Sequence, residues 1–341
     1  MGFRQEREKE RRKRRKLYLK LGGVALIMAA AFLVVTAFYP AATWKYYVYL
    51  PDVSARKAGQ ARIHFVDVGQ GDSTIIELPD GKTMLIDGGD GKKAHTNAIM
   101  RYLNALNVKK VDYMVLTHPD SDHAGGLDTV LKYKKVDVVY YPYVTNYAVN
   151  AEYEQFIAAL VKSGAERKFS QIGENIQTSG ENAYRLTFLS PSVTNNPKGE
   201  YAAVNGGDES GEALNDTSAV IWFEYSGVRA LFCGDAGDAV EQKLLDLDNL
   251  AFGMMQGCEG VSLRADILKV SHHGAGAATS LQFLDRLGVR SAFISCGKDN
   301  LYGHPDGALL ARLALRNIAV YRTDEQGNIV VTIENGRYRV S

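Results

Sequence analysis

From Leu21 to Tyr39 the chain runs nineteen residues without a charge, about what a helix needs to cross a bilayer core. A cationic block stands directly before that run. Residues 1–20 hold ten Lys and Arg against Glu6, Glu8 and Glu10, a net of +7, and since the whole chain carries +1 the remainder carries −6. Positive charge before a span and few charges just after it predict a cytoplasmic N-terminus with everything downstream outside. Residues 1–16 therefore read as a basic cytoplasmic tail, 17–40 as a transmembrane anchor in the lipid bilayer, 41–60 as a linker and 61–341 as the globular body. Trp44, Tyr46, Tyr47 and Tyr49 read as an aromatic interface belt. A cleaved signal peptide is the competing reading, because Val35-Thr36-Ala37 has the form of a small-residue processing site. The apolar stretch exceeds a usual signal core, so a single-pass protein of the cell membrane is favoured over a secreted one.

Apolar residues make up 46% of the 341, enough for one large core or two modest ones. The body alternates strand and helix signals. ARIHFVDV, STIIEL and KTMLIDGG read as strands separated by GQGD and PDGK turns, the second turn a hairpin. Helical spacing follows at Ile99, Leu103 and Leu106, then a strand VDYMVLTH and a helix through Leu127, Val130 and Leu131. VDVVYYP, a helix near 152–163 and YRLTFLSP continue the alternation. SAVIWFEYSG and VRALFCGD form an antiparallel pair about Gly227. A helix near 237–248, the strand ADILKVSHH, a helix near 279–287, the strand SAFISCG, a helix near 305–316 and a closing hairpin over 318–340 complete the body. A β-rich half followed by a helix-punctuated half, seen twice, predicts an α+β four-layer αββα sandwich. Residues 192–214 are the one long stretch without pattern, a surface loop or an active-site flap. Cys233, Cys258 and Cys296 are too widely spaced for a thiolate zinc site and read as small buried hydrophobes.

LTHPDSDHAGG at 116–126 crowds two His and two Asp into six positions after an apolar strand. Imidazole and carboxylate both ligate divalent ions. His118 and Asp120 can face one ion while Asp122 and His123 face a second. Asp235 in LFCGDAG and His272-His273 in LKVSHHGA stand at the ends of two other apolar strands. An Asp between two ions can bridge them about 3.5–4 Å apart, the spacing that suits attack on phosphate esters. Ser121 or Asp122 as a helix cap would explain one segment, but not three. Asp67 and Asp87 read as residues that cap turns and hold loops by backbone bonds, or that stand behind the ligands. Asp72 reads the same way less firmly and is also a site-lining candidate. Lys269 and Arg264 read as ordinary surface or packing cations. A body of net −6 lacks the electrostatic footprint of a duplex-binding protein.

In order, GQGD, LIDGG, HPDSDH, NDTS (215–218), CGD, HHG and YGHP (302–305) resemble the metallo-β-lactamase fold superfamily, and within it the hydrolase domain of the ComEC family of DNA-uptake competence proteins, across about residues 61–340. The resemblance implies the metallo-β-lactamase form of the αββα sandwich. It implies two divalent metal ions, with Asp122, His123 and one of His272 or His273 at one site and Asp235 bridging. Asp120 stands where the superfamily usually has a second His. Asn215 or Asp216 falls where a third His would, so the other site is richer in oxygen and Mn²⁺ rivals Zn²⁺ there. His304 is expected to touch the scissile phosphate. The activity implied is that of a metal-dependent phosphodiesterase, a nuclease acting on single-stranded DNA through a hydroxide shared by the ions, with Asp122, Asp235 and His304 as its catalytic residues. A phosphorylcholine or teichoic-acid phosphodiesterase is one alternative, and a non-catalytic partner of a DNA-uptake channel is another. One predicted span cannot itself form a pore.

Overall fold

The computed structural model describes residues 2–38, 41–144, 150–191, 211–249 and 252–341. The chain divides into two units, Met1–Tyr49 and Leu50–Ser341. In the first, a continuous helix Gly2–Phe38 carries both the basic block and the apolar run, followed by a 3₁₀ turn Ala41–Tyr46. The helix is long and apolar enough to cross a membrane, and none of its apolar window is buried. Trp44, Tyr47 and Tyr49 are exposed, whereas Tyr46 is buried.

The second unit is built on two sheets. The first contains β1 (Ala61–Phe65), β2 (Thr74–Glu77), β3 (Thr83–Ile86), β4 (Lys110–Val115), β5 (Lys135–Tyr141), β6 (Glu166–Phe169), β14 (Ile329–Glu334) and β15 (Arg337–Val340), in the order β15-β14-β1-β2-β3-β4-β5-β6. The second contains β7 (Asn175–Gln177), β8 (Tyr184–Ser190), β9 (Val220–Tyr225), β10 (Val228–Phe232), β11 (Ile267–Lys269), β12 (Ser291–Ile294) and β13 (Ala319–Arg322), in the order β13-β12-β11-β10-β9-β8-β7. Strand alternation explains why both faces of a strand are buried. Ile221 and Phe223 of β9 point into the core between the sheets with Phe65, Phe188, Phe232 and Phe293, while Val220 and Trp222 join the core beneath helices Asp238–Asn249, Leu281–Leu287 and Gly307–Leu315. On the outer side of the first sheet, helices Lys93–Ala105 and Ala151–Ser163 bury Ile99, Leu103, Tyr153 and Phe156. These layers make the αββα sandwich that the strand pattern predicts.

Local signals account for several boundaries. Ser280 caps its helix by accepting from Phe283 N at 3.2 Å, and Asp306 caps the next by accepting from Ala308 N at 2.6 Å, the residue types that favour this position. Ser226 and Gly227, at φ 51° and 76°, turn β9 into β10 as a tight hairpin needs. The expected closing hairpin over 318–340 is corrected: β13 is the edge of the second sheet, parallel to β12, and only β14 and β15 pair as a hairpin, beside β1 in the first sheet. The short polar strands β6 and β7 have no periodicity and were missed. Of the patternless 192–214 stretch, residues 192–210 lie outside the described residues, and Gly211–Asn215 is a short helix.

Where the parallel strands end is what places the site. β3, β4 and β5 run parallel in the first sheet, as do β10, β11, β12 and β13 in the second. Parallel strands deliver the residues after their C-terminal ends to one rim. Asp87 follows β3, Thr117 and His118 follow β4, Asp235 follows β10, and His272 and His273 follow β11.

Candidate metal centre

Thr117 ties the two sheets together at this rim: its carbonyl accepts from Ala219 N at 3.0 Å. Gly234 closes the β10 loop against the same residue. At φ +53° it holds a left-handed conformation, and a Cβ there would sit 3.0 Å from Thr117 Cβ. Asp235 N then donates to Ser218 Oγ at 3.1 Å, which holds the carboxylate over the centre.

Each buried histidine is fixed through one ring nitrogen so that the other faces inward. His123 Nδ1 lies 2.8 Å from Asp87 Oδ2, and Asp87 Oδ1 accepts from Thr117 N at 2.8 Å. Thr117 Oγ1 donates to Asp87 Oδ2 at 2.8 Å, which leaves its lone pair for His118 Nδ1 at 3.0 Å. His273 Nδ1 lies 3.0 Å from the Ser295 carbonyl and 3.2 Å from Asp72 Oδ1. Anchoring of the outward nitrogen by a carboxylate or carbonyl is the arrangement that orients a metal-binding imidazole.

The inward atoms converge. His123 Nε2 is 3.3 Å from His273 Nε2 and 3.2 Å from Asp235 Oδ1. His273 Nε2 lies 3.2 Å from Asp122 Oδ2 and 3.5 Å from Asp235 Oδ2. His118 Nε2 is 3.8 Å from both Asp120 Oδ2 and Asp235 Oδ2, and His272 Nε2 is also 3.8 Å from Asp235 Oδ2. Two imidazole nitrogens at 3.3 Å, each with its opposite nitrogen already donating, present lone pair to lone pair unless a proton or a cation lies between them. His118 Nε2 and Asp235 Oδ1 are buried with no hydrogen-bond partner, which is costly unless some other group satisfies them. The donor set therefore fits divalent ions.

The electrostatics ask for positive charge at the same place. Burial would raise Asp235, but His123 and His273 hold it well below the carboxylate range. Burial opposes charge on His273, yet Asp235, Asp72 and Asp122 carry it up to about 10. Burial also opposes charge on His123, and Asp235 and Asp87 reverse this to push it well up. Burial, with His123 beside it, drives His118 down to about 3, a ring that stays neutral. Burial, aided by Asp122 and Asp235, lifts Asp120 to about 6.

The structure thus gathers His118, Asp120, Asp122, His123, Asp235, His272 and His273. His304 sits at the edge, its ring 5.6 Å from that of His272 and 6.5 Å from that of His273, with a buried Nδ1 that has no hydrogen-bond partner. Asp72, His123, Asp235 and His273 each place one donor atom within 4.8 Å of the others. Asp72 differs from the other three: it meets the outward nitrogen of His273, and its Oδ2 is paired with Lys269 Nζ at 2.6 Å. Of the surface and packing readings, Lys269 takes the packing one, 2% exposed, while Arg264 is exposed. Asn215 and Asp216 stand just before β9, and their segment meets the centre through Ser218, whose N donates to Asn215 O at 2.9 Å. Asp67 makes the expected turn, accepting from Gly69 N at 3.1 Å. Sequence reasoning missed Thr117, Ser218 and Ser295; only the NDTS match touched one of them.

The family model "Metallo-beta-lactamase superfamily" matches residues 66–298. ComE operon protein 3 of Bacillus subtilis is 26% identical over 293 residues, covering 82% of this chain and 34% of that protein. Competence protein ComA of Neisseria gonorrhoeae is 27% identical over 277 residues, covering 81% and 33%. Recombination protein 2 of Haemophilus influenzae is 27% identical over 282 residues, covering 82% and 30%. The chain spans about a third of the length of these relatives. Among solved structures, CmlA beta-hydroxylase aligns at 13% identity and a TM-score of 0.48, covering 80% of this chain and 54% of that one. With the αββα sandwich, the rim of inward-facing His and Asp atoms and a family match across most of the body, this chain belongs to the metallo-β-lactamase superfamily.

Proposed function

We propose that the chain is a membrane-anchored, metal-dependent phosphodiesterase that cleaves single-stranded DNA on the outer side of the membrane, in the service of DNA uptake. The observation that carries this reading is the pair of facing imidazole nitrogens, His123 Nε2 and His273 Nε2, 3.3 Å apart and flanked by Asp122 and Asp235. The names of the competence relatives, and the basic block before the apolar helix, support the biological setting. An uptake-channel protein is the partner this implies.

Asp122, His123 and His273 would hold one ion, His118 and Asp120 a second, and Asp235 both, with His272 reaching Asp235 from the more exposed side. Ions in such a site supply Lewis acidity toward a phosphoryl oxygen and a water-derived nucleophile near neutral pH. Asp120 in place of an imidazole favours a hard ion, so Mn²⁺ competes with Zn²⁺. Asp87 and Thr117 keep the Nε2 lone pairs of His123 and His118 turned inward, and Ser295 and Asp72 do the same for His273. Burial, then His273 and His272, holds His304 below its usual value. A neutral ring at the rim suits hydrogen bonding to a phosphoryl oxygen better than proton delivery.

The test is hydrolysis of single-stranded DNA, duplex DNA, bis-p-nitrophenyl phosphate and a phosphorylcholine ester by the full chain in detergent, with Mn²⁺ or Zn²⁺. Wild type should cleave the single strand, and Asp235→Ala or His123→Ala should lower kcat by at least about 10³. Undiminished cleavage by either variant would reject the centre. Preference for the phosphorylcholine ester would redirect the substrate assignment, and a purified chain that takes up no metal would favour a non-catalytic partner.

A further inference from the structure

A groove of about 810 Å³ is lined by Ser121 and Asp122 next to the centre. Asp90, Lys92 and His95 and the 297–302 loop also line it. That loop ends in two large side chains with little cover, Leu301 at 100% exposure and Tyr302 at 71%. Their exposure does not come from a slack loop. Asn300 Nδ2 donates to Gly297 O at 2.9 Å and to His304 O at 2.6 Å, and Asn300 Oδ1 accepts from His304 N at 3.0 Å. The Tyr302 ring stacks on that of His304 at 5.8 Å and an interplanar angle of 24°, which places an exposed aromatic ring next to the edge of the centre. Lys92 holds Asp90 Oδ2 at 2.7 Å with most of its side chain in solvent, and Lys298 is exposed.

We propose that this groove is a subsite for one unpaired nucleotide next to the scissile phosphate, with its base against Tyr302 and Leu301 and its phosphate between Lys92 and Lys298. The assignment rests on the phosphodiesterase reading of the centre. An aromatic face beside a phosphate-handling site is what a base offers its own π-face to, whatever its identity. A paired base has its faces covered by neighbours in the stack, so the platform selects single strands. The groove also carries Asp67, Asp90, Asp122, Asp299 and Asp324 against two lysines. Long-range attraction is therefore weak, and affinity must come from the centre and the platform. Binding through two lysines predicts a shallow salt dependence, a log–log slope no steeper than about −1.4.

The experiment pairs a protein change with a DNA change. The full chain in detergent with Mn²⁺ is assayed on a single-stranded oligonucleotide and on the same strand with an abasic position beside the cleaved bond. Tyr302→Ala should raise KM for the intact strand by about five- to a hundredfold. The abasic strand should show the same loss with wild type and little further loss with the variant. Tyr302 is mostly exposed, so the variant should keep the wild-type melting temperature, which circular dichroism checks. If Tyr302→Ala and the abasic position each leave KM unchanged, or if their effects multiply independently, the subsite is wrong; so too if duplex is cleaved as readily as single strand. If wild type hydrolyses neither DNA nor bis-p-nitrophenyl phosphate, the phosphodiesterase reading has failed instead.

Discussion

Lys269 and Asp72 lie behind His273 rather than in front of it, and removing either charge has a consequence that can be worked out. Their side chains are 2% and 5% exposed with Nζ 2.6 Å from Oδ2, so water does little to screen the pair. Burial alone would push the Asp72 carboxyl up; Lys269 first, then His273, hold it below its usual range. Lys269→Met keeps the volume, removes the ammonium and strands a buried carboxylate, and breaking a buried pair in this way costs about 3–5 kcal/mol. Asp72→Asn strands the ammonium at similar cost. The double variant removes both charges of the pair and should lose less than either single one, a coupling of more than about 3 kcal/mol. Urea unfolding followed by circular dichroism reads these differences. The metal readout should behave otherwise: without Asp72, His273 loses an orienting partner, and ion affinity should stay about 10–100-fold weaker in Asp72→Asn and in the double variant. Single variants that each cost under about 1 kcal/mol and add independently would refute the buried pair. Full ion affinity in the double variant would refute the orienting role.

Two further outcomes follow from groups away from the centre. Glu77 Oε2 accepts from Arg62 Nε at 2.6 Å and lies 2.9 Å from His64 Nε2; burial would raise it, but His64 and Arg62 lower it. A depressed carboxyl stabilises the fold above its unfolded value and loses that contribution as the pH falls through its folded one. Glu77→Gln should therefore cost about 3 kcal/mol at neutral pH, with the gap to wild type closing progressively below about pH 4.3 in urea titrations; a gap independent of pH would contradict this. Burial pushes the thiols of Cys233, Cys258 and Cys296 up, Cys296 to about 12, and all three are free and buried. They should resist an alkylating reagent in the native protein and react together in denaturant, with rapid native labelling as the contrary result.

How much of this was legible depended on whether the cause was local. HPDSDH, GD and HH each end an apolar strand, so residue type and position announce ligands before any fold is known. The continuous apolar run of β9 likewise shows in sequence as a strand buried on both faces, though which residues face which core, Ile221 and Phe223 or Val220 and Trp222, does not. What could not be read was set by tertiary approach. Asp87 meets His123 across 36 residues and Lys269 meets Asp72 across nearly 200, and neither spacing leaves a trace in composition. His272 and His273 are equivalent as letters; only the turn after β11, with φ of 50° and 51° at the two residues, sends one inward between Asp122 and Asp235 and leaves the other partly exposed. β13 was misassigned because Ala319–Arg322 has the pattern of any edge strand, and it pairs back across the Gly307–Leu315 helix with β12 rather than forward with β14.

The same geometry explains why the chemistry sits at this rim and nowhere deeper. Inside strands buried on both faces an imidazole or carboxylate must be matched by a dedicated partner, as His64 and Glu77 are. The loops beyond their ends can bring in such groups, provided that each is held. Here the holding is done by short polar chains: Thr117 serves Asp87 and His118, Ser218 serves the backbone of Asp235, and Ser295 serves His273. For His118 and His273 this spends one ring nitrogen on the scaffold and leaves the other pointing at the centre. His118 Nε2 and Asp235 Oδ1, both aimed at the centre, are among the buried atoms left without a hydrogen-bond partner. A fold that anchors the outward nitrogens of His118, His123 and His273 and leaves their inward ones open is organised around positive charge at its middle.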